Sequence, residues 1–179
     1  MYNWLLTCLI RAQAAKVRGF MSPPKLVTPS ELAAAREAME GAGKRLVFTN
    51  GCFDLLHVGH VRYLQEARAL GDALVVAVNG DASVRALKGP ERPINSEADR
   101  AEVLAALECA DYVTIFHDER ITDLARAVRP HIYAKGGDYT IESLDAGEVA
   151  ALREGNAEIR ILPLVPGKST TNIIEKWQR

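Results

Sequence analysis

Residues 45–78 read RLVFTNGCFDLLHVGHVRYLQEARALGDALVVAV. Arg45–Thr49 is a short β-rich run that ends in the turn Asn50-Gly51. From Val58 to Leu70 the spacing of Val61, Leu64 and Ala67 is helical, and Gly71 is placed to cap the helix. Ala73–Val78 is apolar throughout, as expected of a parallel strand covered on both faces. Strand, polar turn, helix and buried strand in that order make a βαβ unit.

The same alternation extends in both directions. Upstream, Thr28-Pro29-Ser30-Glu31 is a capping box with proline at the first helical position, and Gly41 and Gly43 close that helix. Downstream, a short helix near 81–87 precedes a loop, Lys88–Asn95, rich in Gly and Pro. Ser96, with Asp99 three residues on, caps a helix over 97–108. Tyr112–Phe116 reads as a strand, 121–128 as a helix stopped before Pro130, and 131–134 as a strand. After a polar loop over 135–144 come a helix near 145–154, a strand at 159–162 and a terminal helix at 169–177. Strands and helices alternating at this spacing predict one Rossmann-like α/β domain over residues 26–179. Its parallel sheet has five strands, with helices on both faces and the ligand site at the strands' carboxyl ends.

The chain has 179 residues, room for one such domain and too few for two ordinary enzyme domains. Apolar residues make up 48% and charged residues 25%, which excludes a disordered chain. Its 22 Lys and Arg against 23 Asp and Glu argue against a nucleic-acid or membrane-surface partner, which would call for a basic surplus. The charge is unevenly distributed. Residues 1–30 hold Arg11, Lys16, Arg18 and Lys25 and no acid, leaving 18 bases and 23 acids in the rest. Trp4 to Ile10 is too short to span a bilayer and is a poor secretory signal. Two readings of the extension 1–25 stay open, an organelle transit peptide or a start codon assigned too early with Met21 as first residue. Cys8, Cys52 and Cys109 are few and unpaired in spacing, so they read as reduced thiols in a cytoplasmic protein, neither a disulfide framework nor a zinc site.

The polar segments after each strand should carry the chemistry. Thr49-Asn50-Gly51-Cys52-Phe53-Asp54-Leu55-Leu56-His57-Val58-Gly59-His60 has neither the P-loop nor the G-x-G-x-x-G spacing, which disfavours a P-loop kinase and an ordinary dehydrogenase. It offers H-x-G-H at a helix N-terminus, where backbone N–H groups and the helix dipole favour an anion and two imidazoles add donors. Core packing and a metal pair are the competing readings of the histidines; no third ligand is evident nearby. Cys52 and Cys109 read as packed small residues, because nothing nearby activates a thiolate. His117 and His131 read as structural or surface residues.

TNGCFDLLHVGH resembles the signature of the cytidylyltransferase-like nucleotidyltransferases. With VVAVNGDASVRALKG, RPINSEADRAEVLAALECADYVTIF, KGGDYT and STTNII in order, residues 26–179 closely resemble the adenylyltransferase domain of the ADP-heptose synthases. The resemblance implies transfer of AMP from ATP to D-glycero-β-D-manno-heptose 1-phosphate, giving ADP-heptose for the lipopolysaccharide core and pyrophosphate. The attack is direct and in line, with no covalent intermediate. Mg²⁺ is expected with ATP, with no dedicated protein cage. His57 and His60 are then expected to hold the triphosphate and Lys88 to reach the α-phosphate from a Gly/Pro-flanked loop. Thr49, Asn50, Gly51, Cys52, Phe53 and Gly59, with the hydroxyls of Ser169, Thr170 and Thr171, complete the expected nucleotide and phosphate contacts. Asp54, Asn79, Arg92, Arg100, Lys135, Gly136, Gly137 and Asp138 are further candidates for nucleotide or sugar. Arg100 reads equally well as half of an intrahelical ion pair.

Where many relatives have R-T-x-G-I before the last helix, this chain reads Val165-Pro166-Gly167-Lys168, so Lys168 is the candidate substitute for the arginine. A cytidylyltransferase for a polyol or amino-alcohol phosphate is the alternative enzyme, and a non-catalytic nucleotide-binding regulator the alternative class. Many ADP-heptose synthases fuse this domain to a sugar kinase. The residues before the first core helix cannot hold one, so a separate kinase and phosphatase are expected to supply the substrate. A homodimer is the expected assembly.

Overall fold

The computed structural model describes residues 25–137, 139–163, 170 and 173. Asp138, Lys168, Ser169, Thr171, the extension before Lys25 and most of the expected terminal helix lie outside the described residues. The elements are α1 (Pro29–Gly41), β1 (Leu46–Gly51), α2 (Val58–Arg68), β2 (Ala73–Asn79), α3 (Asp81–Lys88) and α4 (Glu97–Ala105). They continue with β3 (Tyr112–Phe116), α5 (Thr122–Val128), β4 (Ile132–Gly136), a 3₁₀ turn (Ile141–Ser143), α6 (Ala146–Glu154) and β5 (Glu158–Leu162).

The sheet is wholly parallel in the order β3-β2-β1-β4-β5, as the alternation of elements predicts. Side chains alternate across it. Leu46, Phe48, Val75, Ala77 and Tyr133 pack with Leu32 of α1, Leu124 and Val128 of α5 and Leu152 of α6. Val47, Leu74, Val76, Val78, Ile132 and Ala134 pack with Leu64 and Ala67 of α2 and Ala101 and Leu104 of α4. Both faces are therefore covered, and each fully buried Leu contributes about 1.5–3 kcal/mol of transfer free energy.

Local chemistry sets the helix starts. Thr28 accepts from the Glu31 N–H while Glu31 reaches back to the Thr28 N–H, and Ser96 accepts from the Asp99 N–H. Several boundaries differ from the sequence reading: Asn50 and Gly51, read as a turn, complete β1, and α4 ends at Ala105, short of 108. Lys88 is the last residue of α3, not the first of the loop. Lys135 and Gly136 belong to β4, paired in register with Ile161 and Leu162. Lys25, assigned to the extension, is docked: Val113 N–H donates to its carbonyl, Leu26 bridges Val113 in parallel, and its ammonium donates to Leu107 O at 2.7 Å.

Candidate active site

In the strand order the chain reverses direction between β1 and β4, so the crevice beyond their carboxyl ends is the place for a ligand. The two strand ends are tied together there. Tyr63, on the inward face of α2, is hydrogen-bonded to Thr49 Oγ1 on β1 at 2.6 Å and donates to Ala134 O on β4 at 3.0 Å. One residue on, Asn50 Oδ1 accepts from Tyr133 Oη at 2.8 Å and from Lys135 Nζ at 3.1 Å. The hydroxyl of Thr49, expected at the nucleotide, is thus wholly buried and turned to Tyr63. Burial of Tyr63 raises its hydroxyl pKa far above that of a free tyrosine, so the link stays neutral and intact.

The loop from Gly51 to His57 delivers the histidines. Phe53 turns the chain at φ 44°, a left-handed conformation that costs an aromatic residue about 1–3 kcal/mol. Its ring packs edge-on against His60 at 5.5 Å between centroids. Gly51 makes that possible: a Cβ there would sit 3.1 Å from the Phe53 ring. His57 caps α2, and its Nδ1 accepts from the Gly59 N–H at 3.1 Å, while His60 Nδ1 accepts from the His57 N–H at 3.4 Å. The rings stack at 3.9 Å.

This cap fixes the chemistry of both imidazoles. A nitrogen that accepts a backbone N–H carries no proton, so each neutral ring holds its proton on Nε2 and presents it as a donor. Burial, helped by neighbouring His57, lowers the His60 pKa to about 4. His60 is therefore a neutral N–H donor throughout the physiological range. Glycine at 59 supplies the cap's N–H, and α2 begins at this point with its positive dipole end.

A second set of contacts fixes the connection between α3 and α4. Asp54, nearly fully buried, accepts from the Ile94 N–H at 2.8 Å and the Asn95 N–H at 3.1 Å, and is ion-paired with Arg92. Asn95 Nδ2 donates back to Asp54 O. Arg100, whose side chain is wholly buried, donates to Cys52 O (2.5 Å), Asn79 O (2.7 Å), Asn95 O (3.0 Å) and Asp81 Oδ1 (2.8 Å). Arg100 is neither an open phosphate contact nor half of an intrahelical pair. Its guanidinium is consumed by four protein oxygens and pins the loops after β1 and β2 to α4. Asn79 is likewise internal, donating to Ser83 Oγ.

Lys88, at the exposed C-terminal end of α3, precedes Gly89 at φ 99°. Cys52 is half-buried, and burial pushes its thiol pKa up despite Lys88, Arg100 and Arg92 nearby, so it is not an activated nucleophile. From the C-terminal region, Thr170 Oγ1 donates to Leu55 O at 3.1 Å, which brings that end of the chain to the loop before His57. Gly136 is confined by the Tyr63 ring, 2.7 Å from where a Cβ would be, and Gly137 has φ 131°. The histidines outside the crevice behave as read: His131 Nδ1 accepts from the Leu46 N–H at the far end of β1, and His117 is exposed beside Glu97.

Tyr63, Tyr133, Asn95 and Tyr139 carry this architecture without having stood out in the sequence. The available signal was Tyr63, a polar-tipped residue one turn after His60 on the face of α2 that must pack on the sheet, where a buried hydroxyl needs a partner.

The chain is 54% identical over 155 residues to the bifunctional protein HldE of Pelobacter propionicus, covering 87% of this chain and 31% of that protein. It is 50% identical over 158 residues to the protein of the same name from Geobacter metallireducens, covering 88% and 32%. The chain thus spans about a third of the length of these curated relatives. Among solved structures, the lipopolysaccharide core biosynthesis protein from Thermoplasma volcanium GSS1 superposes with a TM-score of 0.57 at 29% identity, covering 69% of this chain and 98% of that one. Among the described residues no helix is long and apolar enough to cross a membrane. The cytidylyltransferase-like family model matches residues 48–176, and the chain belongs to that family of nucleotidyltransferases.

Proposed function

We propose that the chain transfers the adenylyl group of ATP to D-glycero-β-D-manno-heptose 1-phosphate, forming ADP-heptose and pyrophosphate in the cytoplasm. The observation that carries nucleotidyl transfer is the pair of imidazoles locked by the α2 cap into Nε2–H donors at the switch point. The heptose substrate is supported by the ordered sequence blocks, by the identity to the two HldE proteins and by the likeness to a lipopolysaccharide core biosynthesis protein.

The chemistry asks for positioning and charge neutralisation, since a phosphate monoester is already a nucleophile. An oxygen of the sugar phosphate attacks Pα, the bond from Pα to the α,β-bridging oxygen breaks, and pyrophosphate leaves with the electron pair. His57 and His60 donate to the β-phosphate and the bridging oxygen, where charge develops, and the α2 dipole adds to them. Because both rings give hydrogen bonds without being cations, they strengthen as charge accumulates and need no proton of their own to be lost. Lys88 reaches the α-phosphate from the end of α3. The hydroxyls of Ser169, Thr170 and Thr171 hold the terminal phosphates, Thr170 being anchored beside the histidine loop. Mg²⁺ belongs to this reading as the ion that accompanies ATP, with phosphate oxygens and water as ligands. No group of three His, Cys, Asp or Glu side chains among the described residues is arranged to hold a metal. A sugar kinase and a phosphatase acting earlier supply the 1-phosphate.

The test is pyrophosphate release from purified protein given heptose 1-phosphate with ATP or with CTP. Turnover with ATP is expected. Turnover with CTP alone overturns the choice of base, and nucleotide binding without turnover of either overturns the enzyme reading.

A further inference from the structure

Lys135 is a cation that the described fold does not neutralise. It lies in β4 at the carboxyl end, only partly exposed, with its Nζ 3.1 Å from Asn50 Oδ1. The same nitrogen is 5.9 Å from the Tyr133 ring centroid and 5.4 Å from that of Tyr139. Among the described residues no carboxylate forms an ion pair with it, although ten ion pairs are formed elsewhere. Withdrawing an ammonium from water without a counter-ion is costly unless a ligand supplies the charge. Burial lowers the Lys135 pKa. Glu148 and Cys52 draw it back, while Arg120 and Lys88 push it further down, so Lys88 is within electrostatic reach of the same nitrogen.

The neighbours of Lys135 are equally committed. An ammonium can only donate, so the oxygen of the Asn50 amide must face it, and the Tyr133 hydroxyl occupies that oxygen's other side. The amide NH₂ is then turned away from both and is available as a donor pair. Tyr139 is 45% exposed, an unusual degree for a ring at a crevice edge, and its face already meets Lys135. Between the two, Gly136 and Gly137 put no side chain in the way.

Resting on the adenylyltransferase reading, we propose that Lys135, Asn50 and Tyr139 form the acceptor subsite: ammonium and amide bind the attacking phosphate monoester, and the exposed ring carries the sugar's apolar face. Lys88, at the end of α3, and Lys135, near the end of β4, then approach the reacting phosphates from two sides, one serving the nucleotide and the other the acceptor. This assigns recognition of a phosphorylated sugar to the β4 side and recognition of the triphosphate to the α2 side.

The test is steady-state kinetics of Lys135→Met and Tyr139→Leu, with ATP affinity measured separately by calorimetry using a non-hydrolysable analogue. Lys135→Met is expected to raise KM for the sugar phosphate about 10- to 100-fold, the worth of one charge-assisted hydrogen bond, with ATP affinity within about twofold. Tyr139→Leu is expected to raise the same KM about fivefold, and Tyr139→Phe to restore it. Removing a buried charge should leave the melting temperature unchanged or higher, so a lost fold is not expected to obscure the result. Equal loss of ATP affinity, or an unchanged acceptor KM, overturns the subsite. An acceptor panel of heptose 1-phosphate, mannose 1-phosphate and glycerol 3-phosphate separates this from the substrate reading. If the unaltered protein ignores heptose 1-phosphate but uses another member, the heptose reading falls, while a selective effect of Lys135→Met on that acceptor's KM sustains the subsite. Turnover of none of them overturns both.

Discussion

At the amino-terminal end of the sheet, Arg36, Arg45 and Arg129 surround a cavity of about 350 Å³ together with Glu40, His131 and Glu158. At the carboxyl end, His57 and His60 open α2, Lys135 lies near the end of β4, and Lys88, at the end of α3, is within electrostatic reach of Lys135. Both ends are rich in nitrogen, yet the amino-terminal end spends it on itself. Arg36 pairs with Glu40 and donates to Arg129 O, Arg45 pairs with Glu158, and His131 Nδ1 accepts from the Leu46 N–H. At the carboxyl end two cations, Arg92 and Arg100, are consumed in holding loops, while Lys135 has a neutral oxygen and two aromatic faces for company. The amino-terminal cavity is therefore lined by groups that already satisfy one another. What marks the site is donor capacity that the fold leaves for something else.

Substitutions at the two ends should separate accordingly. The largest effect is expected for Arg100→Met, which strands Asp81 and three backbone carbonyls. Breaking a buried pair in this way should lower unfolding free energy by about 3–5 kcal/mol in a denaturant titration. A loss below about 1 kcal/mol would mean that the four contacts do not tie the loops together. Next, His60→Ala should reduce kcat about 10²- to 10³-fold with the fold intact, the usual consequence of removing a donor at developing charge. Turnover within a factor of two of the unaltered protein would end the case for the imidazole pair.

The same histidine has a signature in pH. Its folded pKa, about 4, lies below the ordinary 6.5, so between those values the unfolded chain binds more protons. The contribution of neutral His60 to stability is complete above about pH 6.5 and is lost as pH falls towards 4. His60→Asn should flatten that part of the stability curve, as followed by urea unfolding at several pH values; an identical slope would contradict the cap-locked neutral ring. The smallest effect belongs to the other end of the sheet. Arg45 and Glu158 are both well exposed, so Arg45→Met should cost no more than about 1 kcal/mol and leave kcat within a factor of two. A large loss of turnover there would break the contrast between the two ends.

Sequence periodicity carried the layout of the sheet well, because a parallel strand buried on both faces is a continuous apolar run, and Ala73–Val78 is such a run. The caps at Thr28 and Ser96 were legible for a related reason: their partners lie three residues away. What escaped reading depends on partners far along the chain. Arg100 bonds to Cys52 and Asn79, and Lys25 to Val113 and Leu107. Neither link leaves a local pattern. Lys135 and Gly136 read as the start of a loop, since glycine weakens a strand, whereas here both stay in β4, with the Tyr63 ring in the space a side chain at 136 would take. In the site, H-x-G-H announced the paired imidazoles at the start of α2. The cluster that joins the ends of β1 and β4 did not show, since Asn50, Tyr133 and Lys135 become neighbours only when the two strands pair.

The short parallel contact of Lys25, Leu26 and Val27 with β3 bears on how the protein can be handled. Without it, Val113 of β3 would present its N–H and C=O at an open sheet edge, and β3 lies next to β2, apolar from Ala73 to Val78. Open edges are templates for strand addition by another chain. The opposite border is guarded differently, by the charged Glu158 and Arg160 of β5. A version trimmed to begin at Thr28 would keep every residue proposed for chemistry and still lose its guard against self-association, so a shortened form meant for concentrated work should begin no later than Lys25.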